Sequence, residues 1–118
     1  MTLKEKEYRE QSREIITKTV EVISLQNGYK YNRISIRNQK TRLGSCSSKG
    51  NLNFNWQIVK FPKVVMEYVI KHELAHLIHH NHSKNFWNEV EKLDSDYKIN
   101  HKWLKDNAHK YLKFGRIY

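Results

Sequence analysis

The sequence predicts an α+β fold: an amino-terminal helix, a small antiparallel sheet, a helix that carries a metal-type motif, and two further helices. Three observations predict it. Apolar residues recur at helical spacing near both ends of the chain, but two runs between residues 31 and 56 alternate with period two. Turn-forming residues, Asn27-Gly28 and Ser47-Ser48-Lys49-Gly50, stand where the period changes. With 118 residues the chain has the size for one core and not for two, so a single domain over residues 1–118 is expected.

Residues 3–26 read as a long amphipathic helix, with Ile15, Ile16, Thr19, Val20, Val22 and Ile23 at helical spacing and Glu14 four residues before Lys18. Asn27-Gly28 ends it. Residues 31–38 then alternate, Ile34 and Ile36 facing one way and Arg33, Ser35 and Arg37 the other. A second alternation sets Leu52, Phe54 and Trp56 against Asn51, Asn53 and Asn55. The turn composition between them predicts a hairpin of residues 43–47 and 52–56.

Pro62, the only proline, suits the first turn of the next helix, whose apolar stripe starts at Val64 and Val65 and continues through Tyr68 and Val69. Ser83 is placed to cap a helix over residues 84–93 that buries Phe86, Val90 and Leu93. A last helix is expected over about residues 100–113, burying Trp103, Leu104, Ala108, Tyr111 and Leu112, with Gly115 after it.

The chemistry concentrates in Val69-Ile70-Lys71-His72-Glu73-Leu74-Ala75-His76-Leu77-Ile78-His79-His80-Asn81-His82. Residues four apart share a helix face, so His72 and His76 aim imidazoles at one point with Glu73 beside it. That is the layout of a zinc hydrolase: two neutral imidazoles and a third ligand hold Zn²⁺, a fourth position stays open for water, and the glutamate can take the water's proton. A chance occurrence on a buried helix would bury Glu73 among apolar neighbours without a partner, which is costly.

The third ligand needs a change of direction. His79 shares the helical face but lies roughly 10 Å along the axis from His72 at 1.5 Å per residue. The chain must therefore turn first, and His80-Asn81 is an expected stop because Asn tolerates the left-handed conformation that ends helices. His82 is then the first histidine able to fold back, with His79, His80 and His101 as competitors.

The formal net charge of +10 is unevenly placed. Residues 1–30 and 65–118 are nearly balanced, whereas residues 31–64 hold Arg33, Arg37, Lys40, Arg42, Lys49, Lys60 and Lys63 and no acid. Such a segment favours an anionic partner: nucleic acid, a nucleotide or an acidic peptide. One cysteine, Cys46, excludes an internal disulfide framework and suits a reducing compartment. The charged amino terminus and the absence of a long apolar run make a cytoplasmic monomer, without membrane contact, the expectation.

Several blocks occur in order: Gln39-Lys40-Thr41-Arg42-Leu43-Gly44-Ser45-Cys46-Ser47, Leu52-Asn53-Phe54-Asn55-Trp56, the His72 to His76 motif, Asn81-His82-Ser83 with Phe86-Trp87, and Trp103-Leu104. Over about residues 30–107 the chain thereby resembles the YgjP-like metallopeptidase family, which is related to the SprT-like proteins. The resemblance implies a zincin-like fold, one Zn²⁺ held by His72, His76 and His82, and Glu73 as catalyst. The family usually has tryptophan where this chain has Leu43. The span from His72 to His82 also equals that of metzincins, but those have glycine in place of His79 and a later methionine turn, which Met1 and Met66 cannot supply.

In zincins a strand beside the metal helix pairs with extended peptide, and residues 52–56 are the expected strand here. Arg42, Ser45, Asn53, Asn55 and Trp56 are the candidate substrate contacts, Tyr97 and His101 the candidate oxyanion donors, and Cys46 a hairpin residue. The leading expectation is a zinc-dependent metallopeptidase acting on peptide. The alternatives are a metal-dependent nucleoside triphosphate pyrophosphatase or phosphoanhydride hydrolase, which the resemblance also permits and the basic segment would suit, and a nucleic-acid-associated zinc module.

Overall fold

A computed structural model describes residues 2–38 and 42–111. Helix α1 (Leu3–Asn27) is capped at one end by the Thr2 hydroxyl, which accepts from the Glu5 amide, and closed at the other by Gly28 at φ +72°, a left-handed turn that costs glycine nothing. Strands β1 (Arg33–Arg37), β2 (Gly44–Cys46) and β3 (Asn51–Asn55) follow, then a 3-10 turn (Trp56–Lys60), α2 (Lys63–Ala75), α3 (Lys84–Leu93) and α4 (Tyr97–Tyr111). The family block begins with Gln39, Lys40 and Thr41, and the expected last helix ends with Leu112 and Lys113 before Gly115. All six lie outside the described residues.

The sheet has the order β1-β3-β2. The expected hairpin is present, β2 antiparallel to β3 with Ser45 opposite Asn53. β1, however, pairs with the other edge of β3 in parallel, Ile34 opposite Leu52 and Ile36 opposite Phe54, so the sheet is mixed and not wholly antiparallel. A short turn fixes the direction of a hairpin, but an alternating pattern reads the same in either direction, and the β1–β2 connection carries no such turn signal. Leu52 and Phe54 are buried against the helices. On the outer face Arg37 Nε donates to Asn53 Oδ1 at 3.0 Å and Asn53 Nδ2 donates to Ser45 Oγ at 3.3 Å. Trp56 leaves the strand for the 3-10 turn because Asn55 Oδ1 accepts from the Gln57 amide at 2.9 Å and caps that turn.

The core joins Leu43, Leu52, Phe54 and Ile58 to α2 (Val65, Tyr68, Val69, Leu74), to Phe86 and Val90 of α3, and to Leu104 and Ala108 of α4. α1 adds Ile16, Val20 and Ile23. Three apolar side chains expected inside are outside: Ile15 is 47%, Val22 44% and Val64 60% exposed. Five apolar positions and Thr19 make a stripe on α1 wider than the face the core covers. α4 begins three residues earlier than expected, since Asp94 accepts from the Asp96 amide at 3.0 Å and from Asn100 Nδ2 at 2.9 Å and so organises its first turn. Tyr111, expected inside, remains 43% exposed although its ring lies 5.7 Å from that of Phe61. No helix among the described residues is long and apolar enough to cross a membrane.

The orientation of α1 is testable by a neighbouring pair of substitutions. Ile16→Ala should cost about 2–5 kcal/mol, the range for a large residue deleted from a packed core, whereas Ile15→Ala should cost less than about 1 kcal/mol. Urea unfolding of the two variants measures the difference.

Candidate metal centre

His72 and Glu73 occupy the last turn of α2, whose regular part ends at Ala75 with His76 still in right-handed helical geometry at φ −67° and ψ −17°. The end tightens: the amides of His76 and Leu77 donate to Glu73 and Leu74 three residues back, at 3.1 and 3.0 Å. Asn81 does not supply the expected left-handed stop, because among the described residues only Gly28 and Gly50 have positive φ. The 3-10 tightening does that work several residues earlier. The chain then returns, and Ser83, whose hydroxyl accepts from the Phe86 amide at 3.4 Å, starts α3 and fixes His82 just before it.

The three histidines meet. His82 Nε2 lies 3.3 Å from His72 Nε2 and 3.2 Å from His76 Nε2, and one donor atom from each of the three falls within 4.8 Å of the others. Nitrogens bound tetrahedrally at about 2.0–2.1 Å from one ion stand roughly 3.4 Å apart, so these separations match a shared metal. His76 Nδ1 lies 3.0 Å from the His79 carbonyl, which can only accept. Nδ1 therefore carries the proton and the Nε2 lone pair faces the cluster. Among the described residues no other histidine joins this group. His79 contributes its main chain, and His101 Nδ1 sits 2.9 Å from the Tyr68 hydroxyl, itself 3.5 Å from His72 Nδ1.

The surroundings favour uncharged rings. Burial, reinforced by His76, His82 and His101, pushes the His72 pKa down to about 2. His76 is lowered chiefly by burial, against the raising effect of the His79 carbonyl. Phe86 stacks on His76 with centroids 4.3 Å apart and meets His72 edge-on at 5.0 Å. Trp87 lies nearly parallel to both His82 and Tyr97, at 5.9 and 5.6 Å. Neutral imidazole is the ligand form, so the donor set fits a borderline-soft divalent cation.

Glu73 is buried against β2. A Cβ at Gly44 would stand 3.0 Å from the Asn53 carbonyl oxygen, 3.1 Å from the Phe54 ring and 3.2 Å from Glu73 Cγ, so glycine lets the strand sit this close without displacing them. Nearby, burial and then the Glu73 carboxylate push the Cys46 thiol up to about 11, which keeps it a protonated, unreactive hairpin residue. Gly44 was not among the residues expected at the site. Its signal in the sequence was a glycine inside a strand pattern, and the partner it makes room for lies on another element.

The expected substrate contacts divide. Asn55 is fully buried, donating from Nδ2 to the Arg42 carbonyl at 3.3 Å, and Trp56 is 7% exposed in the core. Ser45 and Asn53 bond to each other on the outer face, and the Arg42 side chain is exposed. β3 is the central strand, paired on both sides, so it has no edge to offer a peptide. β1 and β2 are the two edge strands, and β2 is the one that Gly44 lets approach Glu73. Of the acid-free segment, Arg33, Arg37, Arg42, Lys49, Lys60 and Lys63 are exposed, and Lys40 lies outside the described residues. Of the two oxyanion candidates, Tyr97 lies against Trp87 and His101 is joined to Tyr68.

An α+β scaffold with four helices and a small mixed sheet is the architecture of zincin-like metallopeptidases. The model of the YgjP-like metallopeptidase domain matches residues 3–107, and the chain belongs to that family. The structure is similar to the metallopeptidase zymogen of Pyrococcus abyssi abylysin, with 26% identity, a TM-score of 0.67, and coverage of 79% of this chain and 95% of that one. In fold it is also similar to the metallopeptidase zymogen of Methanocaldococcus jannaschii jannalysin, with 24% identity, a TM-score of 0.66, and coverage of 79% and 96%. No curated protein matches the sequence.

Two outcomes follow from this geometry. A histidine with a depressed folded pKa binds its proton more readily when unfolded, so unfolding takes up protons below about pH 6.5 and stability falls as pH falls. For His72 the metal-free protein should lose roughly 2 kcal/mol between pH 7 and pH 5. Thermal melts across that window, with calorimetric proton uptake, measure it. Gly44→Ala should destabilise by about 1–3 kcal/mol through overpacking, whereas Gly50→Asn, at a turn with positive φ, should be milder.

Proposed function

We propose that the protein is a zinc-dependent peptidase in which His72, His76 and His82 hold one Zn²⁺ and Glu73 is the general base. The observation that carries this reading is the pair of 3.2 and 3.3 Å separations between imidazole nitrogens of three histidines, with a buried carboxylate next to one of them in sequence. When bound, zinc supplies Lewis acidity, activating water and polarising a carbonyl.

The chain's own residues do the remainder. The His79 carbonyl holds His76 in the tautomer that presents Nε2, and Phe86 and Trp87 wall the cluster and limit water around it. Glu73, seated against Gly44, takes a proton from the attacking water and delivers it to the departing amine. The outer edge of β2 is placed to pair with an extended peptide by main-chain hydrogen bonds.

Metal analysis of the purified protein tests the ligand set. His82→Ala should lose stoichiometric zinc, and His101→Ala should keep it. The reverse pattern would remove His82 from the centre. Glu73→Gln should keep fold and metal yet lose roughly 10²–10⁴ in rate, the scale of general-base catalysis. Glu73→Gln belongs beside the wild type in a screen of the metal-loaded protein against peptide and nucleoside triphosphate pools. Turnover confined to the nucleotides would replace the peptidase by a phosphoanhydride hydrolase using the same residues.

A further inference from the structure

Ile15 and Val22 have the helical spacing of buried residues, yet they stand 47% and 44% exposed. They line one side of a groove of about 830 Å³, whose other walls include Val59 of the 3-10 turn, Met66 on α2 and Leu93 at the end of α3. The groove follows α1 from Ile15 to Asn27, roughly 18 Å at 1.5 Å per residue, the length of about three helical turns. Apolar surface collected into one concave strip differs from singly scattered exposed residues, because a partner can bury its own apolar face there.

The rim is predominantly positive. Lys18, Lys63, Lys71 and Lys92 line the groove and Glu67 is its single acid. Among the described residues none of these four lysines is in an ion pair, in contrast to Lys102, which pairs with Asp106. The groove also faces away from the candidate centre. Lys63 precedes His72 by nine residues, about two and a half turns, and so projects from the opposite side of α2.

We propose that this groove docks an acidic amphipathic helix of a partner protein, its apolar stripe at i, i+3, i+4 and i+7 on the Ile15–Val22–Leu93 floor and its carboxylates against the four lysines. The charge pattern selects this occupant. A second copy of the chain would bring the same four lysines to the rim. Residues 112–118 add Lys113 and Arg116 and no acid, and residues 39–41 add Lys40, so neither segment supplies the missing carboxylates. A helix bound here leaves His72, His76 and His82 open, so it recruits or positions the protein without covering the centre.

The test uses the metal-loaded full chain and three fluorescein-labelled synthetic peptides of about 14 residues, roughly 20 Å of helix. One has a leucine stripe flanked by glutamates, one has lysines in place of the glutamates, and one has the acidic composition scrambled so that no stripe remains. The acidic amphipathic peptide should bind, measured by anisotropy, and should shift the methyl resonances of Ile15, Val22 and Leu93. Val22→Asp should weaken binding by at least about tenfold without changing metal content or melting temperature appreciably, since the side chain is exposed. Lys18→Glu with Lys92→Glu should weaken it too and should admit the lysine peptide. Equal binding of the scrambled or lysine peptide, resonance shifts confined to other surfaces, or indifference to Val22→Asp would overturn the proposal. So would sedimentation showing a dimer that Val22→Asp dissolves, which would give the groove to a second copy.

Discussion

Bringing His82 back to His72 and His76 requires the chain to reverse within six residues, and the end of α2 is where that reversal is made. An α-helix continued past Ala75 would carry His79 onto the shared face and push the return loop away from the cluster. Tightening to three-residue hydrogen bonds at His76 and Leu77 shortens the exit and leaves the His79 carbonyl pointing back at His76 Nδ1. One local change of hydrogen-bond pattern thus stops the helix, orients the His76 ring and sets the loop that carries the third histidine. Ser83 completes the reversal by starting α3 immediately afterwards.

Burial then fixes the protonation states. His72 is fully enclosed, with Tyr68, Phe86 and Trp87 around it, and its charged form is disfavoured first by loss of water and then by three neighbouring histidines. The same surroundings bring the Nε2 atoms of His72 and His76 to 3.3 and 3.2 Å from His82 Nε2, separations that one shared cation would satisfy. Fold and candidate metal site are therefore coupled: the packing that buries His72 and lowers the pKa of His76 favours the neutral imidazole, which is the form that can bind a metal ion.

Much of this was legible in the sequence. The extent of α1, the hairpin turn, the Ser83 cap and the pairing of His72 with His76 follow from periodicity, turn chemistry and helix geometry, all properties of neighbouring residues. What was not legible depends on residues distant in sequence. The parallel arrival of β1 depends on which edge of β3 is vacant, and the exposure of Ile15 and Val22 on how much of α1 the other helices cover. Asn53, Asn55 and Trp56 looked available because alternation shows which residues share a face without showing that β3 is central. The tightness around position 44 comes from Asn53 and Phe54 across the hairpin and from Glu73, twenty-nine residues on and in another element.

The placement of Trp87 between His82 and Tyr97 has an optical consequence. Indole emission is quenched by a nearby protonated imidazole, and the other two tryptophans sit elsewhere, Trp56 in the core beside the sheet and Trp103 against Phe61. The ring that walls the histidine cluster is therefore a built-in fluorophore for it. Its emission should respond to changes among the histidines it touches, His72, His82 and His101, so that events at this candidate centre can be followed in real time without a label or a substrate.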